Sequence, residues 1–165
     1  MLPKFKTLPS KNLIGQRIRM CFAENKTRML WQEFMPRKKE IKNCIGTDLF
    51  SLEIYDDTSF FKNFDPKKEF EKWAAVEVTD FNFVPDKMET LVIPSGLYAV
   101  FNYKGSANDA ANFYRYIFAS WLPGSDYILD DRPHFAVMGE KYKKDSEDSE
   151  EDIWIPVRSV PDTPR

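Results

Sequence analysis

Two short segments recur along the chain in the same order. Leu8-Pro9-Ser10 returns as Ile93-Pro94-Ser95 (94 − 9 = 85), and Phe34-Met35-Pro36 returns as Trp121-Leu122-Pro123 (123 − 36 = 87). Each copy falls at the same point of a strand-helix-strand-strand order, so the near-equal offsets argue for a duplicated unit. One such unit has a single helix for its sheet and leaves apolar surface uncovered. Two copies about a pseudo-dyad cover each other and leave a crevice along the join, a concave junction of the kind small ligands favour. The expected class is α+β, with duplicated strand-helix-strand-strand modules in pseudo-two-fold symmetry around a central ligand groove. The modules are expected over residues 4–83 and 87–158 of a single domain, 1–165.

In module one, residues 13–22 read as a strand following a Pro-Ser-Lys-Asn turn. Asn25 or Thr27 caps a helix through MLWQEFM, with Leu30 and Phe34 on one face and Pro36 marking its end. DLFSLEIY (48–55) and EKWAAVEVTDF (71–81) alternate as strands on either side of the turn-rich DDTSFFKNFDPKK. In module two, METLVIPSGLYAVFNYKG ends in a strand, and Ser106 with Asp109 three residues later resembles a capping box. ANDAANFYRYIFASW then reads as a helix with Phe113, Ile117 and Trp121 along one stripe, stopped by Pro123 and Gly124.

Charge and composition exclude several functions. With 24 basic and 26 acidic residues the net charge is −2, which gives no basic face for nucleic acid. Cys21 and Cys44 have no C-x-x-C spacing and His134 is the single histidine, so neither a zinc site nor a disulfide framework is indicated. Two such cysteines fit a reducing cytoplasm. MLPKFKTLPS lacks the apolar core of a signal peptide, no segment is long and apolar enough to span a membrane, and G-x-G-x-x-G is absent. DSEDSEED (145–152) reads as a solvated loop. No cofactor is called for. The expected partner is a small organic ligand, not nucleic acid or membrane, and a protein partner is left unidentified.

The last two strands supply the candidate site. Side chains alternate along a strand, so His134, Ala136 and Met138 oppose Phe135 and Val137, while Asp152 and Trp154 oppose Ile153 and Ile155. Taking Phe135, Val137, Ile153 and Ile155 as the core set leaves His134, Ala136, Met138, Asp152 and Trp154 as a mixed, ligand-facing set. Trp154 is the favoured aromatic contact. Tyr55, Trp73 and Trp121 sit in matching elements and offer stacking surface, though each fits a core position as well. His134 has no serine or cysteine paired with it by spacing, so nucleophilic catalysis lacks support.

IPSGLYAVFNYKG, the helix ending in SWLPGSDYILDDRPHF, then GEKYK and EEDIWIPV, together resemble the GyrI-like family. That family includes the effector-binding domains of AraC-type and MerR-type bacterial regulators and stand-alone relatives. The resemblance implies two strand-helix-strand-strand modules around a groove for small organic molecules, often cationic or amphipathic. It implies a stand-alone effector-binding protein without a DNA-binding half of its own.

One position departs from the family's pattern. Members with the motif P-x-F-E place a groove glutamate where this chain, after Pro133-His134-Phe135, has Ala136. A desolvated carboxylate costs several kcal/mol unless a cation or donors compensate, so alanine removes both the cost and the cation site. In hydrolytic relatives that acid takes part in catalysis, help of a kind worth roughly 10²- to 10⁴-fold. The expected ligands are hydrophobic or cationic organic compounds; the first alternative, a hydrolase of small electrophilic compounds, is expected to be impaired by Ala136, and a gyrase-inhibitor-type interaction protein is the second alternative. Glu140, if Gly139 does not break the alternation, and Asp152 are the acids that could stand in, or else solvated strand-end charges.

Overall fold

Pro9-Ser10 and Pro94-Ser95 are bends at which two strands change neighbours and the sheet closes. The structure, a computed structural model, describes residues 2–106, 110–139 and 149–161. Asp109 of the expected capping box, Glu140, and residues 145–148 of the acidic run lie outside them. In chain order the elements are β1 (Lys4–Leu8), β2 (Lys11–Met20), α1 (Thr27–Arg37), β3 (Leu49–Ile54), β4 (Phe70–Val78), β5 (Glu89–Ile93), β6 (Gly96–Lys104), α2 (Ala110–Tyr116), β7 (Tyr127–Leu129), β8 (His134–Met138) and β9 (Glu150–Ser159).

The antiparallel order is β1-β6-β9-β8-β3-β4-β2-β5, with β7 on β9. β1 pairs with β6 and β2 with β5 in one register, from Lys4 opposite Val100 through Leu8 opposite Gly96, then Lys11 opposite Ile93 to Gly15 opposite Glu89. Since β1 continues into β2 and β5 into β6, the two ends of that order are one ribbon, and the sheet closes on itself. The turn expected at residues 9–12 is instead a bend between paired strands. Proline has no N–H to give a ladder and fits the break. Gly15 lies where β2 is flanked by both β4 and β5, and a Cβ there would collide with the Ala74 carbonyl oxygen.

The strand registers repeat the duplication. Gly15 and Phe50 both pair with Ala75, while Val100 and Phe135, each further on by the Pro9–Pro94 spacing, both pair with Trp154. Ser51 and Ala136 have the same spacing and pair with each other, so the pseudo-dyad passes between them.

The inside of the closed sheet is packed by Leu13, Phe50, Leu52, Trp73, Tyr98 and Phe135. Outside, each helix covers one half. Leu30 and Phe34 of α1 pack on Ile14, Ala74 and Val76. Neither Asn25 nor Thr27 is the cap expected of them: the cap position is Lys26, without a side-chain cap hydrogen bond, and the Asn25 carboxamide oxygen accepts the Thr27 N–H at 2.9 Å just before the helix. Pro36 sits inside the last turn, and α1 ends one residue later than expected. In module two, α2 continues into five residues of π-helix, Ile117–Trp121. Such a turn accommodates an extra residue, one source of the larger offset between the helix ends. Phe113 and Trp121 meet Phe101 edge-on, at 5.9 and 5.1 Å.

The ligand-facing set expected of the last two strands does not share one face. Ala136 is directly opposite Ile153, and Phe135 opposite Trp154. Directly opposed residues of a pair point to the same side. His134, Ala136 and Met138 therefore share the helix side with Ile153 and Ile155, whereas Asp152 and Trp154 share the inner side with Phe135 and Val137. Alternation within each strand holds; the phase between them was taken one residue out. Both faces are apolar because one lines the closed sheet and the other lies under α2, so apolarity alone did not identify the core.

Candidate functional site

α1 rests on β2 and β4, and α2 with its π turn on β6 and β9. The central pair, β3 and β8, lies between them. Its outer face is a groove floor across four strands, Ala74, Ser51, Ala136 and Ile153, successively opposed, the first three with small side chains. Ala136 is at the centre of this floor and only 3% exposed.

The next row across the sheet is Lys72, Glu53 and His134. Lys72 donates to Glu53 Oε1 at 2.6 Å, with both side chains nearly out of solvent. Glu151 projects from β9 on the same side as Ile153. Burial, and after it the nearby Glu53 carboxylate, raises its pKa to about 7, with Lys72 opposing. Burial also pushes the Tyr55 and Tyr114 phenols well above their usual range, with Glu53 contributing to both and Glu151 to Tyr114. Glu53 and Lys72 are thus paired on the sheet, and Glu151 and, from α2, Tyr114 feel the Glu53 charge from module two. Among the described residues this polar centre has two carboxylates and one ammonium.

An aromatic group flanks this centre. Tyr55 meets His134 edge-on at 4.9 Å, and Phe61, from the loop between β3 and β4, lies flat on Phe118 at 3.9 Å. Burial, then the Arg132 guanidinium, lowers the His134 pKa to about 3, so the ring is neutral. Its Nδ1 is buried without a hydrogen-bond partner among the described residues. A narrow crevice of about 10 Å³ lies beside it, lined in part by Tyr55, Asp57, Phe61, Arg132 and His134.

Of the residues expected at the site, Tyr55, His134, Ala136 and Met138 are on the groove side. Trp154 stacks inside the closed sheet on Phe135, at 5.4 Å and 12°. Trp73 belongs to the same inner cluster. Asp152 accepts from Asn102 at 3.1 Å. Trp121 packs on Phe101 and Phe5, two strands from Ala136 in the sheet order. Glu53, Lys72, Glu151, Tyr114, Phe61 and Phe118 were missed. A signal was present for the first two: Ser51, Glu53 and Tyr55 are polar in phase, against apolar Phe50, Leu52 and Ile54, and Lys72 heads a run, 72–76, whose other residues are all apolar. Among the described residues, no group of three or more His, Cys, Asp or Glu side chains could hold a metal ion, and no helix is long and apolar enough to cross a membrane.

A duplicated, closed sheet with one helix on each half and a polar centre in the groove between them defines a small-molecule-binding effector domain. Residues 4–157 match the family Cass2, integron-associated effector binding protein, and the chain belongs to that family, as the GyrI-like motifs implied. The fold is shared with SAV2435 in its structure bound to tetraphenylphosphonium (TM-score 0.71, 17% identity, 96% of this chain and 94% of that one). It is also shared with the integron cassette protein VCH_CASS2 from the mobile metagenome of Vibrio cholerae (0.69, 13%, 95% and 96%). The EcmrR C-terminal domain is similar again (0.67, 21%, 97% and 100%). No curated protein sequence matches this chain.

Proposed function

We propose that the groove binds a small amphipathic organic cation, its charge received by Glu53 and Glu151 and its apolar part by the aromatic group around Tyr55 and His134. The observation that carries this is the charge count at the centre. Among the described residues two partly buried carboxylates face one ammonium, and a charge drawn out of water without a partner is expensive. In the empty groove the imbalance is relieved by a proton on Glu151; a monovalent cation relieves it equally well. Glu53 and Glu151 thereby take up the role that Ala136 cannot. The relative bound to tetraphenylphosphonium supports the same ligand chemistry.

Titration of the full chain with tetraphenylphosphonium, followed by calorimetry at pH 6 and pH 8, tests this reading. Saturable binding that tightens at pH 8 and is lost in Glu151→Gln is expected. Binding indifferent to both pH and Glu151 would overturn it. The equivalent registers of the two halves support residues 4–83 and 87–158 as the modules. Two free thiols, Cys21 and Cys44, support a reducing, cytoplasmic setting.

A further inference from the structure

Phe61 belongs by sequence to module one, yet its ring is seated on module two. It lies on Phe118 of the π turn with centroids 3.9 Å apart and planes 7° from parallel. Tyr55 closes the slot edge-on to Phe61 at 4.9 Å, and His134 stands 5.9 Å from Phe118 and 6.2 Å from Phe61. The residue before it behaves differently. Phe60 is 2% exposed in its own half against Tyr55, Phe70 and Met20, which anchors the loop; Phe61 touches that cluster edge-on to Phe60 at 5.1 Å and reaches across from it to Phe118.

On either side the loop is made of tight turns. The Asp57 carboxylate accepts the Ser59 N–H at 2.8 Å, Lys62 N–H donates to the Ser59 carbonyl at 2.9 Å, and Asn63 is left-handed at φ 52°. Phe61 is half-buried on an anchored turn, and its displacement would leave Phe60 and the strands in place. A flat ring would then find Phe118 below it and Tyr55 and His134 beside it, and the His134 ring carries an Nδ1 without a partner among the described residues.

We infer that Phe61 is a resident occupant of an aromatic slot, and that the ligand placing its charge at Glu53 and Glu151 is a flat, fused-ring aromatic compound that displaces Phe61 from Phe118 and turns a polar edge to His134. The inference rests on the groove reading given under Proposed function and narrows it to a shape. Parallel stacking at this distance selects planar rings over splayed ones. A site whose open form is only fractionally populated binds more weakly by that fraction, so removing the occupant should tighten binding.

The test compares two monocations of different shape, acridine orange, which is flat, and tetraphenylphosphonium, whose phenyl rings splay. Dissociation constants are measured by calorimetry on the full chain, Phe61→Ala and Phe118→Ala, with thermal melts reporting folding. Phe61→Ala should bind acridine orange at least about five-fold more tightly, and Phe118→Ala more weakly than the unaltered chain, with tetraphenylphosphonium changing much less in both. If tetraphenylphosphonium saturates the site while Phe61→Ala leaves acridine orange unchanged, weakened or unbound, Phe61 is a wall and not an occupant; the slot then falls and the groove reading stands. If neither cation saturates any of the three proteins, both readings fall. Phe61→Ala decides the matter alone should Phe118→Ala fail to fold.

Discussion

Lys72 Nζ lies 2.6 Å from Glu53 Oε1 across β4 and β3, with the two side chains 8% and 14% exposed. Breaking such a pair from one side leaves an uncompensated buried charge, whereas removing both partners does not. Lys72→Met should lower unfolding free energy in urea by about 3–5 kcal/mol, and Glu53→Met/Lys72→Met should recover most of it. The single variant should also gain more thermal stabilisation from tetraphenylphosphonium than the unaltered chain, because the ligand fills the vacated cation position. An unchanged urea midpoint in Lys72→Met would mean that solvent already screens the pair.

Glu151 should make the protein less stable as pH rises. Its folded pKa is about 7 against an ordinary 4.5, so between those values the folded chain keeps a proton that the unfolded chain has lost. The penalty is absent below pH 4.5, grows through the interval and is complete above pH 7. Glu151→Gln keeps the shape and stays neutral. It should match the unaltered chain at pH 4 and exceed it at pH 8 by a few kcal/mol at most. Equal stability at both pH values would place the carboxylate in water.

His134 acts in the opposite sense. With a folded pKa of about 3 against 6.5, the unfolded chain takes up a proton below pH 6.5 that the folded chain refuses, so stability falls on acidification from 6.5 towards 3. Phenylalanine cannot titrate and suits the aromatic surroundings. Relative to the unaltered chain, His134→Phe should gain on the order of 3 kcal/mol between pH 7.5 and pH 4. Between pH 4.5 and 6.5 the slopes from Glu151 and His134 oppose each other, so only the single variants reveal either one. A pH-independent difference for His134→Phe would show that the imidazole titrates normally.

The duplication was legible because Pro9 and Pro94 carry a backbone constraint that survives divergence: each marks the bend where a ribbon leaves one half of the sheet for the other. Ala136 was singled out by the P-x-F-E motif and by alternation with His134 and Met138, whereas its pairing with Ser51, at the Pro9–Pro94 spacing, emerges only in the sheet. Which face Trp154 and Asp152 occupy was not legible. Alternation determines a strand's two sides but not how they align with a neighbour's, and the alignment here depends on the pairing of Ala136 with Ile153. The polar centre was harder still, since Glu53, Lys72 and Glu151 lie far apart in the chain and meet only once the sheet has closed. Phe61 read as part of a turn-rich loop, and nothing local to DDTSFFKN says that one of its two phenylalanines is buried at home and the other stacks across the groove.

Ala136→Glu restores the acid of the P-x-F-E motif, but into a groove that already has two. Ala136 is on the floor, opposite Ser51 on one side and Ile153 on the other, with Glu53 in the adjoining row and Glu151 on the neighbouring strand. A third carboxylate must be desolvated there while Lys72 remains the sole ammonium of the centre among the described residues, so the variant should lose on the order of 3 kcal/mol at pH 8 and less at pH 5, where protonation relieves the crowding. Ligand affinity should move the other way. A cation that enters this groove meets one more negative charge, and an added contact of this kind at a partly screened site should tighten tetraphenylphosphonium by about tenfold. Thermal melts with and without the ligand, on both proteins, read the two effects together: a lower melting point in its absence and a larger ligand-induced rise. A variant that is destabilised yet responds to the cation no more than the unaltered chain would put the ligand's charge away from the dyad, leaving Glu53 and Glu151 to receive it without help from the floor.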